Sequence, residues 1–110
     1  MSYGLDENVI QQIKSVLSNF PEVEEVIIYG SRAKGNYKNG SDIDLTLKGK
    51  NVDLLILGKI DDHLDDLLLP YKFDLSIYNQ INSPELLEHI DRVGDLFFSR
   101  NSKTIFFSKQ

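Results

Sequence analysis

The stretch VIIYGSRAKGNYKNGSDIDLTL, residues 26–47, contains the features that decide the fold. Its first four residues are apolar, mostly β-branched, and end at Gly30, a pattern typical of a short strand buried on both faces. From Asp42 to Leu47 polar and apolar residues alternate, which predicts a second strand. On that strand Asp42 and Asp44 share one face, with their backbones about 7 Å apart at ~3.3 Å per residue. The stretch therefore predicts two strands joined by a glycine turn and a polar loop.

The acids and the glycine turn have complementary chemistry. Mg²⁺ is usually held by one or two carboxylates together with substrate phosphates, and a bound cation relieves the repulsion between Asp42 and Asp44. At the turn, Gly30 allows the backbone to approach an anion, and Ser31 offers a hydroxyl and an N–H group. Two cationic residues, Arg32 and Lys34, follow in the same turn. One end of the stretch thus favours phosphate binding and the other favours metal binding.

This arrangement resembles the signature of a known family. Gly30-Ser31, ten further residues and Asp42-x-Asp44 are similar to the motif of the DNA polymerase beta-like nucleotidyltransferase superfamily. At 110 residues the chain most resembles its smallest branch, the minimal nucleotidyltransferases. In this superfamily a later strand supplies a third acid, and the alternating stretch YKFDLSIY, residues 71–78, offers Asp74. The resemblance implies an α/β (α+β) fold with a small mixed sheet backed by helices.

The resemblance also implies a site and a reaction. The catalytic and metal-binding carboxylates would be Asp42, Asp44 and Asp74, and two Mg²⁺ ions are expected. The implied nucleotide- and phosphate-binding residues are Gly30, Ser31, Arg32 and Lys34. The expected enzyme moves a nucleoside monophosphate, AMP from ATP, to a hydroxyl acceptor.

Family membership implies a partner as well. Minimal nucleotidyltransferases often act beside a small helical protein with a HEPN domain, in pairs that resemble a toxin and its antitoxin. Such a partner would supply a tyrosine hydroxyl that accepts the AMP group. The alternative is a catalytically silent protein of the same fold, which binds nucleotide or neutralises its partner like an antitoxin. Homo-oligomers and hetero-oligomers are both left open by the sequence.

Length and composition favour a single domain over residues 1–110. Hydrophobic residues make up 41% and charged residues 26%, which is ordinary globular composition. Cysteine is absent, and no apolar run approaches the ~20 residues of a membrane span, so we expect a cytoplasmic protein without a membrane segment. The net charge of −5 works against binding of long nucleic acids, because phosphate contacts dominate their affinity.

Periodicity and turn residues predict the order helix, strand, helical turn, strand, helix, strand, helix, strand. The predicted segments are a helix over 6–19 capped by Asp6, a strand over 24–29, a helical turn over 32–35, strands over 42–47 and 72–78, one or two helices over 53–69, and a helix over 84–93 capped by Ser83. The helix over 53–69 rests on apolar residues spaced by three or four from Leu54 to Leu68.

Three other stretches are ambiguous in sequence. We interpret DDHLDD, residues 61–66, as the solvated face of a helix, because like charges stack there opposite Leu64. His89 is predicted to be exposed among acidic residues of its helix, without a part in the reaction. Residues 96–107 carry two aromatic clusters, which predict either an edge hairpin or an exposed docking surface.

Overall fold

The computed structural model describes residues 1–100 of the chain. Within that range helices and strands follow one another in the predicted order. The elements are α1 (Glu7–Ser18), β1 (Glu25–Tyr29), α2 (Gly30–Lys34), β2 (Ile43–Lys48), α3 (Leu54–Asp65), β3 (Phe73–Ile77), a 3₁₀ helix (Tyr78–Gln80), α4 (Pro84–Val93) and β4 (Asp95–Ser99). The helical turn after β1 begins at Gly30, two residues earlier than predicted.

The four strands form one mixed sheet in the order β3-β2-β1-β4. The central strand β1 is antiparallel to both β2 and β4. By contrast β2 and β3 are parallel, so the chain must cross from one end of the sheet to the other between them, and α3 makes this crossing. The small mixed sheet backed by helices that the sequence predicts is confirmed.

One face of the sheet forms the hydrophobic core with α1 and α3. Alternation in β2 places Ile43, Leu45 and Leu47 on this face, and all three are fully buried. Ile13 of α1 and Ile60 of α3 are also fully buried and belong to the same cluster. Each such side chain contributes about 1.5–3 kcal/mol on burial, so this face stabilises the register that positions the opposite, polar face.

The helices α2 and α4 contact each other, and α4 also contacts β1. Pro84 is the first residue of α4, and the Oγ of Ser83 accepts a hydrogen bond from the N–H of Leu86 at 3.2 Å, which confirms the predicted cap. The helix ends at Gly94, where a side chain would collide with Ile27 of β1. This close approach fixes α4 against the sheet beside the glycine turn.

Two predicted details of the helices are wrong. The helix α3 ends at Asp65 rather than near residue 69, because the chain turns and Leu68 adopts a left-handed conformation with φ +56°. Leu68 consequently lies outside the core, with 88% of its surface exposed, and Leu54, the first residue of α3, is 70% exposed. Asp6 precedes α1 as predicted, but its side chain makes no capping hydrogen bond. The side chain of Asp53 does cap α3, by accepting from the N–H of Ile56 at 2.9 Å.

The described residues bear on two further expectations. The strand β4 contains the first aromatic cluster of residues 96–107, with Phe97 buried and Leu96 55% exposed. The second cluster lies outside the described residues, so the edge hairpin and the docking surface both stay predictions. Across residues 1–100, no helix combines the length and the apolar character needed to cross a membrane.

Gly58 offers a test of the helix α3. It lies inside the helix, and a side chain there would meet no other atom within 4 Å. Because glycine costs a helix interior about 0.5–1 kcal/mol relative to alanine, Gly58→Ala should raise the free energy of unfolding by that amount, as measured by urea denaturation. The control is Gly94→Ala, which should lower stability through its collision with Ile27. A destabilised Gly58→Ala protein would contradict an open helix face at this position.

Candidate active site

Three acidic side chains lie together at one end of the sheet. Asp44 is the second residue of β2, and Asp42 directly precedes that strand. In the parallel pairing of β2 with β3, Asp44 lies beside Asp74. Asp42 and Asp74 are exposed, whereas Asp44 is partly buried between them and the rest of the sheet. The structure thus brings together the three carboxylates that the sequence predicted, while their catalytic role stays a prediction.

Gly30 packs directly against Asp44. The antiparallel register of β1 and β2 pairs Tyr29 with Asp44, so the turn that follows Tyr29 begins beside this carboxylate. Gly30 adopts φ +72°, a conformation that residues with a side chain rarely adopt. A Cβ atom at this position would also collide with Oδ2 of Asp44. Glycine is therefore required both by the backbone conformation and by the space that the carboxylate takes.

The rest of the predicted phosphate-binding turn forms α2. Ser31 is half-buried in the first turn of this helix, and Lys34 is exposed at its end. Gly35 closes the helix in a left-handed conformation with φ +93° and donates its N–H to the carbonyl of Ser31 at 2.9 Å. Ser31 thus lies one residue from the Gly30–Asp44 contact, whereas Lys34 projects from the far end of the turn. Phosphate binding by these residues stays a prediction.

Arg32 has a position that does not fit the predicted nucleotide contact. Its side chain is only 2% exposed. Nη1 donates to the carbonyl of Tyr3 and Nη2 to the carbonyl of Ser41, each at 2.9 Å. The guanidinium carbon lies 5.5 Å from the ring centroid of Tyr37 and 5.0 Å from that of Tyr71. The guanidinium thus holds the loop after α2 to the N-terminal residues and is not exposed, and the contact of Arg32 with nucleotide stays a prediction that this burial does not support.

The electrostatics of the site are those of crowded carboxylates. Burial raises the pKa of Asp44 to about 6, and the negative charges of Asp74 and Asp42 contribute to the increase. The positive charge of Arg32 acts in the opposite direction and is the smallest of these effects. A carboxylate with such a raised pKa in a polar site is a candidate functional group. A bound cation would remove the part of this pKa increase that comes from repulsion by Asp74 and Asp42.

Comparison with known sequences identifies the family. The sequence profile of the family described as "Polymerase beta, Nucleotidyltransferase" matches residues 11–103. The chain belongs to this family. It is also similar to a Methanocaldococcus jannaschii protein named "putative protein adenylyltransferase", with 30% identity over 86 residues that cover 77% of this chain and 87% of the relative. The chain is thus a nucleotidyltransferase, and the matched range includes the glycine turn and all three acids.

Solved structures share the fold of this nucleotidyltransferase. A toxin-antitoxin crystal structure with AMP-PNP contains a chain that is 21% identical, with a TM-score of 0.66 over 96% of this chain and 82% of that one. A second similar structure is the tri-AMPylated Shewanella oneidensis HEPN toxin in complex with its MNT antitoxin, with 16% identity and a TM-score of 0.64 over 94% of this chain and 80% of the other. At these identities the likeness concerns the fold.

The carboxylates of the nucleotidyltransferase site fit Mg²⁺ if nucleotide phosphates and water supply the remaining ligands. Among the 100 residues that the structure describes, no three His, Asp or Glu side chains are close enough to hold a metal ion by themselves. Mg²⁺ is commonly bound by one or two carboxylates, with waters and substrate phosphates as the other ligands. One or two of the carboxylates Asp42, Asp44 and Asp74 therefore fit an ion whose other ligands are water and nucleotide phosphate, and metal binding by these residues stays a prediction.

A cleft beside the carboxylates contains an acid that the sequence interpretation placed in solvent. The cleft has a volume of about 320 Å³ and lies between α3 and the ends of β2 and β3. Its lining residues are Asp42, Leu57, Asp61, Lys72, Phe73, Asp74 and Leu75. Asp61 is partly buried here, and burial raises its pKa, with further increases from Asp65 and Asp62. The interpretation of residues 61–66 as a solvated helix face holds for Asp62, His63, Asp65 and Asp66, which are exposed, whereas Asp61 is partly buried in the cleft.

His89 also differs from its sequence interpretation. It is partly buried, and its Nε2 accepts a hydrogen bond from the N–H of Gly30 at 3.2 Å. Its ring meets the ring of Tyr29 edge-on, with the two centroids 6.1 Å apart. His89 follows Leu86 by three residues and precedes Val93 by four, and this spacing places it beside the inner face of α4. That spacing is the sequence signal that could have located it.

The raised pKa of Asp44 predicts how stability depends on pH. The folded protein binds a proton at Asp44 more tightly than the unfolded chain, whose aspartates have a pKa near 3.8. The contribution of Asp44 to the stability of the protein without metal or nucleotide should therefore fall as the pH rises from about 4 to about 6. Asp44→Asn removes this effect, so the variant should melt at a higher temperature than wild type at pH 7.5 and lose that advantage below pH 4.

The matched control for this experiment is Asp62→Asn, which removes one charge from the exposed face of α3. Calorimetry should show a smaller gain in melting temperature at pH 7.5 for Asp62→Asn than for Asp44→Asn, because the carboxylate removed from Asp62 is exposed to water. An Asp44→Asn protein whose advantage is the same at pH 4 and pH 7.5 would contradict the crowded state of Asp44.

Proposed function

We propose that this nucleotidyltransferase depends on Mg²⁺ and moves AMP from ATP to a tyrosine hydroxyl of a small helical HEPN-domain partner, in a toxin-antitoxin-like pair. The observation that carries the proposal is the contact between the Gly30–Ser31 turn and Asp44, flanked by Asp42 and Asp74. A turn suited to phosphate and a carboxylate suited to a cation touch each other there. In this proposal residues 1–110 act as one domain in the cytoplasm.

The similar proteins support the choice of donor and acceptor. The name of the M. jannaschii relative specifies adenylyl transfer to protein. One similar solved structure holds AMP-PNP, and another pairs an MNT antitoxin with a HEPN toxin that carries three AMP groups. These descriptions favour ATP as the donor, and they favour a HEPN-domain protein over a small molecule as the acceptor.

Each residue of the site has a role in the proposed reaction. Gly30 lets the backbone of the turn approach the triphosphate closely, Ser31 binds it through its hydroxyl and N–H groups, and exposed Lys34 adds positive charge. Asp42 and Asp44 would hold Mg²⁺, which supplies charge neutralisation at the phosphate oxygens when it is bound. The acceptor oxygen forms a bond to the α-phosphorus, the bond to the bridging oxygen breaks, and pyrophosphate leaves. Asp74 accepts the proton of the attacking hydroxyl.

The geometry also favours one direction of approach for the acceptor. In an in-line displacement the nucleophile and the leaving group lie on opposite sides of phosphorus. If the Gly30–Ser31 turn binds the pyrophosphate portion, the acceptor enters from the side of Asp42 and Asp74, where the cleft lies. The apolar part of the cleft, formed by Leu57 and Leu75, suits an aromatic ring better than a charged group.

The reaction is tested with ATP labelled on its α-phosphate. The labelled nucleotide, Mg²⁺ and this protein are incubated with a candidate HEPN-domain protein from the same genome. Label should appear on the partner with wild type, and Asp42→Ala and Asp44→Ala should each lower the rate by at least about 100-fold, because the cation loses a ligand in each. Melting temperatures should show that both variants fold.

The outcomes of this assay separate the candidate functions. Transfer at the wild-type rate by the Asp42→Ala, Asp44→Ala double variant would disprove the site. Mg²⁺-dependent binding of ATP without transfer to any partner would favour the alternative, a silent nucleotide-binding protein. Transfer that persists after substitution of every tyrosine in the partner would assign the acceptor to another hydroxyl group.

The direction of approach is tested in the cleft. Asp61→Arg places a long cation against Asp74 and fills part of the cleft, so we expect the KM for the acceptor protein to rise about tenfold while the Kd for ATP changes less than about twofold. The control is Asp62→Arg, which makes the same change on the exposed face of α3, outside the cleft. An equal effect of both substitutions, or a selective loss of ATP binding, would contradict entry through the cleft.

A further inference from the structure

The hydrogen bond between His89 and Gly30 joins two distant parts of the chain. Nε2 of His89 lies 3.2 Å from the backbone nitrogen of Gly30, and the two residues are 59 positions apart. The bond links the middle of α4 to the residue on which the glycine turn depends. Because α4 also contacts α2 and β1, this helix is a fixed platform for the turn.

Gly30 is consequently held from two sides. Its N–H is bound by His89, and its Cα lies against the carboxylate of Asp44. The edge-on contact of the His89 ring with Tyr29 orients the imidazole toward the turn. Without the hydrogen bond to His89, only the packing against Asp44 would hold Gly30 in place.

The geometry also fixes the chemical form of His89. A backbone N–H can only donate, so Nε2 must be the acceptor and must carry no proton. In the neutral ring the proton is then on Nδ1. A side chain of similar length with an acceptor at its end can preserve the contact, whereas an apolar side chain cannot.

We propose that His89 is a positioning residue for nucleotidyl transfer. Through the Gly30 N–H it fixes the turn relative to Asp44, and so aligns the triphosphate with the carboxylate that would hold the cation. His89 touches neither substrate nor metal in this arrangement. The inference rests on the proposed nucleotidyl transfer and adds to it a residue on α4.

Three variants of the full chain test the inference. His89→Leu removes the acceptor and keeps an apolar group of similar reach. His89→Gln offers its amide oxygen near the place of Nε2. The control, His63→Leu, makes the same change on α3, where the other histidine lies with Nδ1 2.7 Å from the carbonyl of Lys59. Melting temperatures report whether each variant folds.

The kinetic outcome separates positioning from general stability. Because the net effect of one hydrogen bond corresponds to a factor of about ten, we expect kcat of His89→Leu to fall about tenfold, with a change of less than about threefold in the Kd for ATP. His89→Gln should recover most of the rate, and His63→Leu should resemble wild type. Equal rates in wild type and His89→Leu, equally low rates in both His89 variants, or tighter ATP binding by His89→Leu would each overturn the inference.

A measurement without substrates tests the contact itself. Hydrogen exchange of the Gly30 amide, followed by NMR, should be faster in His89→Leu than in wild type and intermediate or slow in His89→Gln. The ¹⁵N signals of the wild-type imidazole should show the proton on Nδ1. Unchanged exchange, or a proton on Nε2, would overturn the inference. If wild type transfers no AMP, the proposed function fails on that result, and the amide data still decide whether His89 holds the turn.

Discussion

The contact between the carboxylate of Asp44 and the Cα of Gly30 is the constraint on which the rest of the site depends. It requires glycine, because any side chain would occupy the space of Oδ2 and because φ is +72°. It also requires the pairing of Tyr29 with Asp44, since only this register starts the turn beside the acid. Strand pairing and the lack of a side chain at Gly30 thus place the glycine turn, the predicted phosphate site, against a carboxylate.

The three carboxylates of the site repel one another, although the pairing of β2 with β3 holds them close together. Parallel pairing places Asp74 beside Asp44, and Asp42 adds a third negative charge. Repulsion of this kind destabilises the protein without ligand, and it persists because the opposite face of the same strands is buried in the core. If the proposed function holds, such a site would bind a cation and a nucleotide more strongly together than separately, because the charges of the two ligands neutralise each other.

Much of the fold and part of the site could be predicted from local patterns. The alternation of Ile43, Leu45 and Leu47 located β2 and its buried face, and the spacing of Gly30 from the acids indicated the family. The roles of Arg32 and His89 could not be predicted, because they depend on partners 29 and 59 residues away in the chain. A cationic residue in a polar loop resembles a ligand-binding group until its burial is known.

The position of β3 at the edge of the sheet affects how stably Asp74 is held in the site. Within residues 1–100 this strand pairs with β2 alone, so Asp74 lies on an edge strand of the sheet. Asp44, by contrast, lies on the inner strand β2, and Asp42 directly precedes that strand. Edge elements open at a lower free energy than central ones. A partial opening that detaches β3 would leave the glycine turn, Asp42 and Asp44 in place. It would remove Asp74, the proposed proton acceptor. A partner that docks along this edge would therefore control the reaction through the local stability of a single strand.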